Sequence, residues 1–238
     1  MNTIEPMKPG SIRQLPNQLG ARAGRTQWPT DYIVWDLETT GLSHKDNHIV
    51  EIGAITVEGN QITGAHRWVL DNGVPVNPVA AAMNGITDEV IAEEGRDAAD
   101  CMSEFLTLLT PGNQPHLTHN GYKFDIPWLV HHAAVLLNLP ADQEQELMQN
   151  LHDTMIDTAA LIKGEKLSMN RQWNESTVDH ARRVMPIMAK GVKYNVTLLC
   201  AEMNIDMEGI TTHSAGGDVI LTNEIYQRIV NPILHGTE

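Results

Sequence analysis

The stretch from residue 31 to residue 70 narrows most sharply the folds open to this chain. Three runs, DYIVWDLE (31 to 38), IVEIGAITV (49 to 57) and QITGAHRWVL (61 to 70), are rich in β-branched and aromatic residues, and Glu58-Gly59-Asn60 separates the second from the third. A short glycine-asparagine break between two such runs is a hairpin signal, so the first three strands are expected to form an antiparallel meander. The period then changes. Asn77-Pro78 offers an N-cap followed by a first-turn proline, Gly85 offers a stop, and DAADCMSEFLTLLT (97 to 110) repeats as an amphipathic helix. HLTHN (116 to 120) reads as a short fourth strand, followed by a helix from about Phe124 with Pro127 in its opening turn. A fifth strand is expected near 152 to 156, and a helix at Thr158 to Lys163 capped by Asp157. TLLCAEMNI and DVILTNEIYQRI predict two more helices, the last ending near Asn231 because Pro232 disfavours a helical residue before it. This order predicts an α/β protein: a mixed five-stranded sheet, three strands antiparallel and then two parallel, with helices on both faces.

Charge bounds the partners. The formal net charge of −14 argues against a surface that coats nucleic acid throughout, since such binding neutralises phosphates. Net positive charge is confined to two segments. Residues 1 to 30 hold Lys8, Arg13, Arg22 and Arg25 against Glu5, and residues 163 to 193 hold seven cations against Glu165, Glu175 and Asp179. The first segment, broken by Pro6, Pro9, Pro16 and Pro29, reads as a flexible arm. Cys101 and Cys200 stand alone in helix-like contexts, so neither a disulfide framework nor a cysteine-rich zinc site is suggested. MNTIEPMKPG has no apolar signal region and no run approaches a membrane-spanning length, so a cytoplasmic location is expected.

Three short patterns carry chemistry. In WDLETTGLS (35 to 43), a period of two puts Asp36 and Glu38 on one strand face and Trp35 and Leu37 on the other. Two adjacent carboxylates repel, and one keeps its proton unless a cation lies between them. In HNGYKFDIPWL, Asp125 stands where the fourth strand passes into a helix, the end of an open α/β sheet at which ligands bind. In HSAGGDVIL, His213 precedes Asp218, and Asp218 heads a helix whose stripe Leu221, Ile225 and Ile229 must face a core. A carboxylate at the head of a buried stripe is costly to desolvate unless it is paired or metal-bound. Ala215, Gly216 and Gly217 add no bulk, which would let a substrate approach the backbone. Four carboxylates from separate elements suit hard divalent cations such as Mg²⁺ or Mn²⁺, and two such ions support phosphodiester cleavage. A nearby histidine would then accept the proton of the attacking water. His116, His119, His131 and His132 do not form a convincing zinc set, because His116 and His119 fall on opposite faces of a short strand. Trp68, Trp128 and Trp173 are expected to pack in the core or its rim.

Together, Asp36-x-Glu38-Thr-Thr-Gly, Asn120-x-x-x-Phe124-Asp125 and His213-x-Ala215-x-x-Asp218 resemble the motifs of the DEDDh 3′-to-5′ exonucleases, the DnaQ-like group of the ribonuclease H-like fold. The resemblance runs from about residue 31 to 230, and NGIT (84 to 87) looks like a family loop. It implies an exonuclease domain over 31 to 238 with a basic insertion at about 164 to 193, and two-metal hydrolysis of a terminal phosphodiester that releases nucleoside 5′-monophosphates. By resemblance, Asp36 bridges both metals, Glu38 and Asp218 hold the one beside the nucleophile, Asp125 serves the other, and His213 is the general base. Thr39 and Leu42 would meet the terminal nucleotide, and Thr40, Asn120 and Phe124 join the substrate-binding set. Arg182 and Arg183, in the basic segment, are expected to grip a single strand. The 3′ end of single-stranded DNA is the expected substrate. An exoribonuclease with the same site, and a non-catalytic acidic module that docks a protein through its acidic surface or residues 164 to 193, are the alternatives.

Overall fold

The computed structural model describes residues 29–109, 114–139, 151–155, 163–164, 166–170, 172–173, 175, 177–184, 186–187 and 195–235. The expected arm at 1 to 30 lies outside them apart from its last two residues, as does the expected helix at Thr158 apart from Lys163. The chain divides into two compact units. One is Thr30–His152 with Ile210–Ile220; the described parts of the other are Pro29 and residues within Asp153–Gly209 and Leu221–Glu238.

The sheet is built from β1 (Tyr32–Thr39), β2 (Ile49–Glu58), β3 (Gln61–Asp71), β4 (Arg96–Asp97), β5 (His116–Thr118) and β6 (Leu151–Asp153). Its order is β4-β3-β2-β1-β5-β6, with β1, β2 and β3 antiparallel and β5 parallel to β1. The predicted mixed sheet is therefore present, and a two-residue edge strand is added. β4 pairs in parallel with Leu70 and Asp71, where a helix start was expected. Asp97 then accepts from the backbone N–H groups of Ala99 and Asp100, so the helix begins one residue later, at α3 (Ala98–Leu109). β2 is buried on both faces along most of its length, which is why it reads as a continuous apolar run.

Two short helices precede α3. α1 (Pro78–Asn84) has the expected Asn77 cap and ends on Gly85 at φ 76°, where a left-handed residue closes the helix. α2 (Asp88–Glu94), capped by Thr87, carries too few apolar residues to show a period. α4 (Asp125–Leu137) follows β5. On one face of the sheet, Ile33, Trp35 and Leu37 of β1 meet Cys101, Met102 and Phe105 of α3 and Ile126, Trp128 and Leu129 of α4. Trp35 packs edge-on to Phe105, with centroids 5.3 Å apart, and its indole N–H donates to His116 Nδ1 at 2.9 Å. His116 is thus a core acceptor, and Trp68 and Trp128 are core residues as expected. Trp173 departs from that expectation: it is 89% exposed.

The second unit contains α5 (Thr177–Val184) and α6 (Val196–Glu202), and α7 (Ala215–His235) starts in the first unit and continues into the second. α7 does not stop near Asn231. Pro232 sits in its last turn, where one lost hydrogen bond costs little of a helix of 21 residues.

One contact places the start of α7. A Cβ built on Gly53 of β2 would lie 2.6 Å from the carbonyl carbon of Ala215 and 2.7 Å from its oxygen. Only glycine lets the helix start rest on the strand. Gly53→Ala is therefore expected to destabilise the protein by about 1–3 kcal/mol through overpacking. Gly216→Ala, whose added Cβ meets nothing within 4 Å, is expected to raise the melting midpoint slightly. Thermal melts of the two variants check both.

Candidate active site

Asp36 and Glu38 project from one face of β1, and Asp218 projects from the first turn of α7. A carboxylate oxygen from each lies within 4.8 Å of the others. All three belong to the first unit, as do Asp125 and His213. Sheet register explains the convergence. Asp36 pairs with Gly53, whose missing side chain admits α7, and Glu38 pairs with Glu51. Glu51 is 2% exposed; its Oε2 accepts the Ala215 N–H at 2.9 Å and its Oε1 accepts from Arg67 Nε at 2.5 Å. This carboxylate pins the first residue of α7 to β2, and Arg67, which also bonds Glu94, balances its charge.

Two residues escaped the sequence patterns. Glu51 lay inside a run read as strand, and only its pairing with the helix start reveals its work. Asn84 is buried at the end of α1; its amide reaches the Glu38 carboxylate and the Thr39 carbonyl, and its Oδ1 accepts from the Ile86 N–H at 3.0 Å. The NGIT resemblance was the one signal pointing to it.

Asp125 is the first residue of α4 and 1% exposed. Phe124 holds the N-cap position without a side-chain cap bond, so Asp125 is not the helix cap. It stands outside the 4.8 Å group yet near enough for its charge to raise Asp36. Asn120 opens the turn into α4 with φ at 71°, and its carbonyl accepts from the Lys123 and Phe124 N–H groups. Phe124 packs on Trp128 at 5.6 Å. His213 is exposed, and its φ of 58° places it in the left-handed region that few non-glycine residues enter. Its imidazole and backbone N–H both act on Asp218. Gly217 answers a local need: a Cβ there would lie 1.8 Å from the Thr211 carbonyl oxygen.

The turn after β1 divides its residues. The Thr39 hydroxyl donates to the Gly41 carbonyl at 2.8 Å. Thr40 is buried, and its Oγ1 accepts the His48 N–H at 2.9 Å, so it closes the turn from inside. Leu42 is 92% exposed at the tip. In the second unit, the half-buried Arg183 bonds both oxygens of Glu175, and the side chain of Arg182 lies outside the described residues.

Burial and mutual repulsion raise the pKa values of these acids. Asp36 is held well above the usual carboxylate range, first by burial and then by Asp125, Asp218, Glu38 and Glu51. Glu38 is pushed up to about 8 by burial, Asp218 and Glu51, against the pull of Asn84. Burial raises Asp218, with His213 opposing. An all-oxygen donor set under such repulsion fits a hard divalent cation. Among the described residues, this is the one group of three or more acids, histidines or cysteines whose ligand atoms converge.

The exonuclease family model RNase_T matches residues 33–226. The chain belongs to the DnaQ-like 3′-to-5′ exonuclease family. Among relatives in the family, the DNA polymerase III subunit epsilon of Pasteurella multocida is 28% identical over 66% of this chain and 62% of its own length. That of Haemophilus influenzae is 26% identical over 83% of this chain and 66% of its own. The fold also matches exonuclease I of Methylocaldum szegediense, with a TM-score of 0.63 and 17% identity over 85% of this chain and 40% of that one. E. coli exonuclease I in complex with a dA16 oligonucleotide matches with a TM-score of 0.63 and 15% identity over 85% of this chain and 41% of that one. This chain thus spans less than half of the exonuclease I chains it matches.

Raised carboxyl pKa values set a pH dependence of stability. The folded state favours the protonated acids, so their stabilising effect is complete below the unfolded values near 4 and is lost as pH rises through the folded ones. Burial pulls His131 and His132 down, a contribution confined to pH below about 6.5. In chelator, the melting midpoint is therefore expected to fall between about pH 6.5 and 9, the span in which Glu38 ionises. Asp36→Asn should flatten the fall, and millimolar Mg²⁺ should reverse it. Calorimetry across this range checks the sign.

Proposed function

We propose that this protein is an exonuclease that uses two divalent cations, Mg²⁺ or Mn²⁺, to hydrolyse the 3′-terminal phosphodiester of single-stranded DNA and release nucleoside 5′-monophosphates. The observation that carries the proposal is the convergence of Asp36, Glu38 and Asp218 within 4.8 Å, with Asp125 and His213 beside them. Family membership supports the direction of attack, and the oligonucleotide complexes of the exonuclease I neighbours support a single strand. Asp36, Glu38, Asp125 and Asp218 would hold the cations. When bound, such ions lower the pKa of a coordinated water and neutralise charge on the leaving oxygen.

The chain's own residues do the remainder. His213 is exposed, acts on Asp218 through its imidazole and its backbone N–H, and takes the proton of the attacking water. Leu42 projects from its turn to pack on the terminal base, a contact that tolerates any sequence. Thr39, Asn120 and Phe124 would join the contacts to the terminal nucleotide, and Thr40 holds the turn in shape. Phosphate contacts upstream fall to the basic stretch 164 to 193, where Arg183 is already bound to Glu175 and Arg182 is the better candidate. Cys101 and Cys200 are buried and neither forms a disulfide, which suits a reducing, cytoplasmic setting.

The test uses 5′-labelled DNA and RNA oligonucleotides with Mg²⁺, with Mn²⁺ and with chelator. A ladder that shortens from the 3′ end, faster on DNA and absent in chelator, is expected. Asp36→Ala should abolish it, and His213→Ala should slow it by about 10²–10⁴-fold. Endonucleolytic fragments, or equal activity in chelator, would overturn the proposal. In a separate binding measurement, Arg182→Ala should weaken binding of all sequences alike and reduce the slope of log affinity against log salt by about 0.7.

A further inference from the structure

The turn between β1 and β2 is tied to α4 through one histidine. Residues 40 to 48 form that turn, with Leu42 at its tip, and most of their hydrogen bonds stay within it. The Thr40 N–H donates to the His48 carbonyl at 2.9 Å, and the Asn47 N–H and side-chain amide both donate to the Ser43 carbonyl, at 3.0 and 3.1 Å. The Ser43 hydroxyl donates to Asp46 Oδ2 at 2.7 Å. Asn47 also fills the space beside Gly41, where an added Cβ would lie 2.6 Å from the Asn47 Cγ. Among the described residues, one hydrogen bond joins the stretch 41 to 48 to another element. It runs from His132 of α4, whose Nε2 lies 3.2 Å from the Asn47 carbonyl oxygen, 85 residues away in the chain. His132 is 5% exposed, and its ring stacks on Trp128 with centroids 5.3 Å apart and planes 13° from parallel. Its Nδ1 stands 3.0 Å from the Trp128 carbonyl oxygen.

Two acceptors thus face a ring that, when neutral, carries a single N–H. The Trp128 carbonyl lies four residues before His132 in the helix, where it already accepts the His132 backbone N–H. Among the described residues, the Asn47 carbonyl has no other donor. A partly buried carbonyl without a donor is costly, so the proton belongs on Nε2. The imidazolium carries a proton there as well, so the tie survives in either charge state. Burial, with His131 and His48 adding to it, pulls the His132 pKa down against the two carbonyls, which keeps the ring neutral at neutral pH. His44 of the same turn rests its ring on His131 and Trp128, with centroids 5.2 and 6.3 Å apart. Ring contacts of this kind allow sliding, whereas a hydrogen bond fixes the register of the turn on the helix.

We infer that His132, as its Nε2–H tautomer, is a positioning residue for the reaction, tying the turn that carries Leu42 to the helix that begins at Asp125. The inference rests on the proposed function for the task of Leu42. Asp125 opens α4 and His132 follows about two turns later, so the tie gives Leu42 and Asp125 a common frame. A tip ordered before the strand arrives spends no binding free energy on becoming ordered.

The experiment joins steady-state kinetics on a 5′-labelled oligothymidylate with NMR of the full chain, labelled with ¹⁵N at histidine, at about pH 8 where free imidazoles are neutral. His132→Gln carries an amide N–H near the Nε2 position, His132→Asn reaches only as far as Nδ1, and His132→Phe keeps the stack on Trp128 without a donor. His132→Phe and His132→Asn are each expected to raise KM about tenfold with kcat within about twofold of the parent. His132→Gln should restore KM to within about threefold. A role in packing alone gives the opposite order, with the phenylalanine variant near the parent and the glutamine variant impaired. In the unsubstituted protein, two-bond ¹H–¹⁵N correlations should report His132 as the Nε2–H tautomer. The Nδ1–H tautomer, an unchanged KM in His132→Phe, or equal losses in the glutamine and asparagine variants would overturn the inference. Should His132→Phe fail to fold, the tautomer and the comparison of glutamine with asparagine decide. The 3′ ladder from the unsubstituted protein would stand through any of these failures, so they are separable from failure of the proposed function. If the unsubstituted protein leaves the strand intact, both fall.

Discussion

Everything at the site depends on keeping several negative charges together in a place that water does not screen. At separations under 5 Å, like charges in a partly buried pocket repel by several kcal/mol on the usual Coulomb scale. The architecture resists that repulsion with contacts that have no charge of their own to lose. β1 fixes Asp36 and Glu38 by strand periodicity, and Gly53 gives α7 a landing place on β2. The one charged tie, from Glu51 to the start of α7, is neutralised by Arg67 on its other oxygen. The repulsion itself therefore makes the pocket a receptor for cations: whatever relieves it binds.

Much of this could be seen in the amino-acid order, for identifiable reasons. Strand alternation alone puts Asp36 and Glu38 on one face, and the Asn77 and Gly85 caps mark both ends of α1. Those features are local, encoded within a few residues. The unseen ones are non-local. Glu51 reads as one polar position in an apolar run, and its partner Ala215 lies 164 residues away. Asn84 looks like a helix end, and its bonds to Glu38 and Thr39 span about 45 residues. β4 exists because Leu70 and Asp71 leave an edge open, which two residues of unremarkable composition then cover. α7 outlasts Pro232 because 16 or more helical residues precede it, and a neighbour-based rule does not weigh that length.

The two units divide the electrostatic labour. The unit that holds Asp36, Glu38 and Asp218 concentrates acids, and most cations of the chain lie in residues 1 to 30 and 163 to 193. For the proposed exonuclease, an acidic centre would repel the phosphates of its substrate, so attraction would have to be generated elsewhere on the molecule and be long-ranged. The bonding of Arg183 to Glu175 shows that some of that positive charge is consumed internally, to shape a surface.

The alignment of the carboxylates is set by hard atomic contact and by a shielded hydrogen bond, and neither weakens as electrolyte is added. Capture of a polyanion weakens steeply under the same conditions. In the proposed exonuclease, ionic strength should thus act almost wholly on KM and leave kcat in place, so that a saline milieu would starve it of substrate before it slowed turnover.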